Sequence, residues 1–234
     1  MPTTDALRKA LADARKAKHS ADVAIKRLVD TKVPHNAKKA KGNLLDRLRS
    51  ILRRMAERIP ALRKRLQAKR RDGGKKAARW ANDQTGVTES PPSSNRGPFP
   101  ITACQVFTIG YDGVAWCGCF VAYAAIKIAG ARIPSKARLA YTPYIVSDAK
   151  AQTNGLRAVP VSEAQDGDLI VFDFDGGGAD HVGLCVGPTV NGMVHTVEGN
   201  TSSDSTGSQS NGGGVFERHR PTSQVAVCAR PDYR

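Results

Sequence analysis

The sequence predicts an α+β domain, with helices packed on an antiparallel sheet, preceded by a basic helical hairpin. Three observations predict it. Residues 1–80 carry apolar side chains at alternating spacings of three and four, the helical pattern. A Pro-, Ser- and Gly-rich stretch follows. Beyond it, one helical run precedes five short β-branched runs separated by Gly, Asp, Asn and Pro, and helices followed by successive strands indicate an α+β domain.

The first helix is predicted over 4–30, with a seam of Leu7, Leu11, Ala14, Lys18, Ala21, Ile25 and Leu28. The seam is rich in Ala and broken by Lys18, so it is weak as a coiled coil. "VPHN" at 33–36 ends it. The second helix has a stronger seam, Leu45, Leu48, Leu52, Met55, Ile59, Leu62 and Leu66. Pro60 is expected to kink that helix or to begin a new segment, because it lacks an N–H and crowds the preceding turn. Residues 81–99, including "TGVTESPPSSNRGPF", read as a linker and the approach to a second domain over 100–234. There "CGCFVAYAAIKIAG" reads as a helix stopped by Gly130. Strands are expected at "DLIVFDF" (168–174), "HVGLCVG" (181–187), "GMVHTVEGN" (192–200), "GVFERH" (214–219) and "QVAVCA" (224–229).

Charge divides the chain in the same place. The net charge is +15, yet residues 1–80 hold 25 basic and 7 acidic side chains, and the remainder is slightly acidic. Such a block suits anionic wall polymers or a membrane surface, without a motif for specific nucleic-acid reading, or serves as a spacer or oligomerisation element. No apolar run is long enough to span a membrane. Lys and Arg interrupt any apolar core of a signal peptide, so synthesis in the cytosol is expected. Five cysteines, an odd number in a chain of this length, argue against a disulfide framework.

Two of those cysteines, Cys117 and Cys119, open the helical run directly after Trp116. The unpaired N–H groups and dipole of a helix start stabilise an anion, which lowers a thiol pKa and makes a nucleophile available. A thiolate still needs a base to carry protons, usually a His oriented by a third polar group. In "HVGLCVG", His181, Gly183 and Cys185 share one face of a strand, with Gly183 leaving room beside the imidazole. In "GMVHTVEGN", Glu198 and Asn200 share a face, and antiparallel pairing of the two strands would present both to His181.

"AWCGCFVAY", "DGDLIVFDF", "DHVGLCVG" and "VEGN", in this order, resemble the CHAP family of cysteine- and histidine-dependent amidohydrolases/peptidases, and "ESPPSSNRGP" resembles the segment that precedes the Cys in phage and bacterial members. The resemblance spans about residues 85–232. It implies a papain-like fold, with Cys117 as nucleophile, His181 as general base, and Glu198 and Asn200 as the residues that orient it. It also implies peptidoglycan as substrate, cut at the amide joining glycan to stem peptide or within the peptide, through an acyl-enzyme. A phage-type lysin of this kind would reach the wall after release from the cell or by virion delivery. The alternative is a non-catalytic binding or virion structural protein that uses the basic helices.

Cys119 lies about 200° from Cys117 around a helix and is expected in the core. Cys104, Cys185 and Cys228 are read as packing residues, although Cys185 shares the face of His181. His19, His35, His195 and His219 have no partner pattern, and Trp116 is read as packing the start of the helix. No cofactor motif is present. "CGC" with "HVGLC" lacks paired zinc-ligand spacing, and "DFDGGGAD" lacks the closing bidentate Glu of a calcium loop, so no metal is expected.

Overall fold

The computed structural model describes residues 2–234. The chain forms two compact units, the first ending at Lys69 and the second spanning Arg70–Arg234.

The first unit is helical. Helix α1 (Thr4–Asp30) is capped by Thr3, whose Oγ1 accepts from the Ala6 N–H. Helix α2 (Lys38–Asp83) begins after the turn at His35–Ala37. Leu7, Leu11 and Ala14 of α1 are buried against Ile59, Leu62 and Leu66 of α2, so the two run antiparallel. Lys41 donates to the carbonyls of Val29 and Thr31, satisfying acceptors that the end of α1 leaves open. Pro60 lies inside α2, on its exposed side, and does not end the helix.

The sequence placed a boundary near residue 80, but the last turns of α2 belong to the second unit. Gly73, Gly74, Ala77, Ala78 and Ala81 form a small-residue face that is buried there. A Cβ on Gly74 would lie 2.1 Å from the Asp166 carbonyl oxygen, so only glycine lets the helix approach that turn. Gly is a poor helix former, at about 1 kcal/mol relative to Ala, and this docking is what it permits. Trp80 of α2 stacks on Phe120 and Tyr123, at ring separations of 5.3 and 5.4 Å.

The second unit continues through α3 (Ile101–Ile109), α4 (Cys117–Ala122), α5 (Thr142–Ala151) and six strands: β1 (Leu156–Val159), β2 (Leu169–Phe172), β3 (His181–Cys185), β4 (Met193–Thr201), β5 (Gly214–Pro221) and β6 (Val225–Pro231). All pair antiparallel in the order β1-β6-β2-β3-β4-β5, so the α+β class is as the sequence predicts. The segment read as a linker is ordered against the sheet, where Gly86 and Val87 exchange hydrogen bonds with Val215, and Glu89 N–H donates to Gly213.

Strand alternation divides the core. Val171, Val182, Leu184, Val197 and Val215 face α4 and its neighbours, while Ile170, Phe172, Cys185, Val194 and Cys228 form a second apolar layer on the other side. The helical run from Cys117 is not uniform: residues Tyr123–Ile128 widen into a π-helix, with Ala129 N–H donating to the Ala124 carbonyl. The extra residue per turn moves the buried position from Ile128 to Ala129.

Candidate active site

Cys117 is the first residue of α4, and its thiol is buried beside strand β3. The local backbone explains how it gets there. The ladder between β3 and β4 contains only Leu184↔Val197 and Cys185↔Thr196. Ahead of those pairs the backbone N–H of Val182 interacts with the Cys117 thiol instead of a strand carbonyl. The thiol thus stands where the ladder opens, against the first residues of β3.

The residue at the head of β3 is His181, fully buried. Its Nε2 lies 3.1 Å from Glu198 Oε2. Its Nδ1 is buried without a hydrogen bond of ordinary geometry, which leaves that nitrogen for the thiol with which the ring interacts. Gly183 makes the arrangement possible, as the sequence suggested: a Cβ there would lie 2.7 Å from Glu198 Cγ, inside the space the carboxylate side chain occupies. Phe172 and Phe174 stack along the imidazole, at ring separations of 6.3 and 6.0 Å.

Glu198 of β4 is saturated. Oε1 accepts from Thr196 Oγ1 at 2.7 Å and from Arg220 Nε at 3.1 Å, and Oε2 accepts from Arg220 Nη2 at 2.6 Å. Burial alone would raise its pKa, but His181 and Arg220 outweigh that and hold it at about 2. Burial would likewise lower the His181 pKa, and the Cys117 and Glu198 anions instead raise it to about 9. Burial raises the Cys117 thiol as well, yet His181 and the N–H groups of Val182 and Gly118 bring it below its ordinary value. These shifts favour an alternation of thiolate, imidazolium, carboxylate and guanidinium, the pairing that makes burial of ions tolerable.

Cys117 differs in this from the other cysteines. Burial pushes Cys119 and Cys185 up to about 12, and Cys104 and Cys228 higher still. Cys119 is buried in the helical layer, and Cys185, despite sharing a strand face with His181, donates to the Gly187 carbonyl and packs in the apolar layer behind the sheet. Among the described residues, the cluster whose metal-ligand atoms converge is Asp173, Asp175 and Asp180, not the thiols with His181 that a zinc site would need. Each of the three carboxylates accepts a backbone N–H of its own loop, from Gly176, Gly177 and Phe174 respectively.

Asn200 is placed differently from the expectation. A bulge between Gly199 and Thr201 breaks the period-two alternation, and Asn200 sits at φ 62°, a region Asn tolerates. Its amide donates to Asn211 Oδ1 at 3.2 Å and the Ser210 carbonyl at 3.5 Å, so its hydrogen bonds hold the β4–β5 loop and none goes to His181. His195 also has a setting the sequence did not indicate: it pairs with Glu217 and stacks on His219.

Three residues around the site escaped the sequence reading. Arg220 directly follows the stretch read as a strand and donates to both oxygens of Glu198. Glu89 accepts the Trp116 indole N–H at 3.0 Å and the Asn95 N–H at 3.0 Å, joining the segment before α3 to the start of α4. Gln105, fully buried on α3, donates to the Asn95 carbonyl and accepts from Val114 N–H, fixing the loop that leads to Cys117. None of these three carries a local spacing signal, because each partner lies on another element.

A scan against protein-family models matches residues 109–200 to the CHAP domain, a span that includes Cys117, His181, Glu198 and Asn200. Searches of curated proteins and of solved structures found no match. The ordered motifs of the sequence, the α+β architecture and this match agree, and the chain carries a CHAP domain, a hydrolase unit of the cysteine- and histidine-dependent amidase kind.

Proposed function

We propose that the protein is a peptidoglycan hydrolase of the phage-lysin type, cleaving an amide bond of the cell wall through an acyl-enzyme on Cys117. The observation that carries this reading is the buried chain Cys117–His181–Glu198, in which one imidazole nitrogen is held by a carboxylate and the other is left for the thiol. The lowered thiol and raised imidazole pKa values favour a thiolate–imidazolium pair at neutral pH.

In this mechanism the Cys117 thiolate attacks the amide carbonyl carbon, and the carbonyl π electrons move to oxygen. The backbone N–H of Cys117, at the start of α4, faces the developing oxyanion. Collapse of the tetrahedral adduct breaks the C–N bond, and His181 gives its proton to the leaving amine. Neutral His181 then takes a proton from water as the water attacks the thioester. The second adduct expels the thiolate, which restores the ion pair. Glu198 remains ionised throughout, orienting the ring and stabilising the imidazolium. Asn200 supports the β4–β5 loop instead of contacting the imidazole.

The basic helices have a matching role as a tether to anionic wall polymer, supported by the excess of Lys and Arg in residues 1–80. Among the described residues no helix is long and apolar enough to cross a membrane.

The test applies purified protein to isolated bacterial walls, beside Cys117→Ala. Hydrolysis by the native chain and none by the variant is expected, and undiminished hydrolysis by the variant would remove the proposed nucleophile. Mass spectrometry of the fragments identifies the bond: new amino termini within the peptide mean an endopeptidase, and free intact stem peptides an amidase. Wall binding that weakens steeply with added salt is expected of the tether, and salt-independent binding would reject it.

A further inference from the structure

Arg220 of β5 is nearly buried, at 6 % exposure, and no surface function accounts for it. Its Nε and Nη2 donate to the two oxygens of Glu198 at 3.1 and 2.6 Å. The fork reaches diagonally across the β4–β5 ladder, since Arg220 stands opposite Val194 and Glu198 opposite Phe216. Nη2 also donates to Thr201 Oγ1, and Nη1 donates to Gln209 Oε1 at 2.8 Å. The guanidinium lies 5.0 Å from the Phe174 ring centroid and 5.8 Å from that of Phe172, the two rings that stack along His181. Every side of the guanidinium is therefore committed.

Gln209 extends the connection. Its side-chain amide donates to the carbonyls of Asp204 and Gly207, and its own carbonyl accepts from Thr201 Oγ1. The loop 202–213 is thus anchored on the same guanidinium that holds the carboxylate. We propose that Arg220 is a positioning residue of this site, gripping both oxygens of Glu198 so that the carboxylate keeps its orientation toward His181, and linking that grip through Gln209 to the β4–β5 loop. The proposal rests on the reading of Cys117 and His181 as the reacting pair.

A bidentate fork is something Arg provides and Lys does not: two parallel N–H bonds fix the carboxylate plane, whereas an ammonium offers a point charge. The charged and titratable groups facing this fork are Glu198 on β4, His181 on β3 with Cys117 of α4 beyond it, and Arg218 two residues earlier on β5. Arg218 donates to Ser203 and Asp204 carbonyls and to Gln209 Oε1, and makes no hydrogen bond to Glu198. It adds positive potential without the grip.

The sign of the effect follows from the charge sequence. Loss of Arg220 removes a cation that favours every anion in the cluster. It also promotes proton uptake by Glu198, and a neutral Glu198 no longer supports the imidazolium beside Cys117. Both consequences raise the thiol pKa.

The test needs no knowledge of the substrate: the rate of Cys117 alkylation by iodoacetamide is followed against pH on the full chain, with mass spectrometry assigning the modified cysteine. Arg220→Gln is expected to raise the midpoint by about one unit, slowing alkylation about tenfold at any pH below both midpoints. Arg220→Lys, which keeps the charge without the fork, is expected to lie between the two. A folded Arg220→Gln chain with the native midpoint, even one of lower thermal stability, overturns the proposal. If that variant does not fold, Arg220→Lys decides: a raised midpoint supports the proposal and a native one overturns it. A native chain whose Cys117 alkylates only in the ordinary thiol range would overturn the ion-pair reading and Arg220's role with it. That outcome is separate from an unchanged midpoint in the variants.

Discussion

Gly118, between the two cysteines, allows the sharpest test of how the fold places the proposed nucleophile. A Cβ at this position would lie 2.1 Å from the Leu139 carbonyl oxygen and 2.9 Å from Ala140 Cα. Both are backbone atoms of the turn at Lys136–Ala140, and Leu139 is fully buried, so neither can rotate away as a side-chain tip could. Reaching an ordinary contact of 3.4 Å requires α4 and this turn to separate by more than about 1 Å. Gly118→Ala should therefore cost about 1–3 kcal/mol, as overpacked cores do. For a unit of this size that lowers the melting temperature by about 2–12 °C. The larger consequence is for chemistry. Cys117 is the adjacent residue, and a shift of about 1 Å in a reacting group costs about 100-fold in rate. Thermal unfolding and wall hydrolysis, measured on the same preparation, check both magnitudes. A Gly118→Ala chain that melts with the native protein and hydrolyses at the native rate would refute the close-approach argument.

Other expectations follow from the same geometry. Glu198→Gln removes the anion that favours protonated His181, so the imidazolium pKa falls from about 9 and the high-pH limb of hydrolysis moves to lower pH; an unmoved limb would show that Glu198 does not act on the proton of His181. Cys117 should be alkylated below the ordinary thiol range while Cys119, held up to about 12, stays unmodified, and peptide mapping after brief iodoacetamide treatment reads the difference. Glu89→Ala leaves the buried Trp116 indole N–H without its acceptor and should cost about 1–3 kcal/mol in chemical denaturation. Gly42→Ala is the opposite case: the residue lies inside α2 with nothing within 4 Å of the added Cβ, so the change should stabilise the helical unit by about 0.5–1 kcal/mol, a gain readable as increased helicity on heating.

Much of this architecture was legible in the chain because local rules produced it. The spacing of Leu7, Leu11 and Ala14 defines the face that α1 buries, and "VPHN" marks its end. The β-branched runs became β2 to β6, and His181 and Glu198 meet as strand alternation and antiparallel pairing required. Gly183 is next to the imidazole for the reason its position suggested, room for a neighbouring side chain. Helix periodicity set Cys119 on another side of α4 from Cys117, and the helix start together with the family resemblance pointed to Cys117.

The failures share a physical cause: the deciding contact comes from a residue distant in sequence. Asn200 would share the face of Glu198 in a regular strand, but the bulge before Thr201 redirects it to the β4–β5 loop. The boundary expected near residue 80 lies nearer residue 70, because Gly73 and Gly74 form a surface on which the 166–167 turn closes against α2. Strand β1 is short and includes Arg157, so no alternation announced it, and its place is set by pairing with β6.

By itself, then, the sequence determined the types of α1, α2, α4 and β2 to β6, the separation of charge between residues 1–80 and the remainder, and the residue types able to run thiol chemistry, since each depends on neighbours within a few positions. Only the tertiary structure decided how those residues are tuned. Burial makes each charge expensive, and the alternating order Cys117, His181, Glu198, Arg220 offsets that expense. The order exists only because a helix start, three strands and the splayed end of the β3–β4 ladder converge on one point.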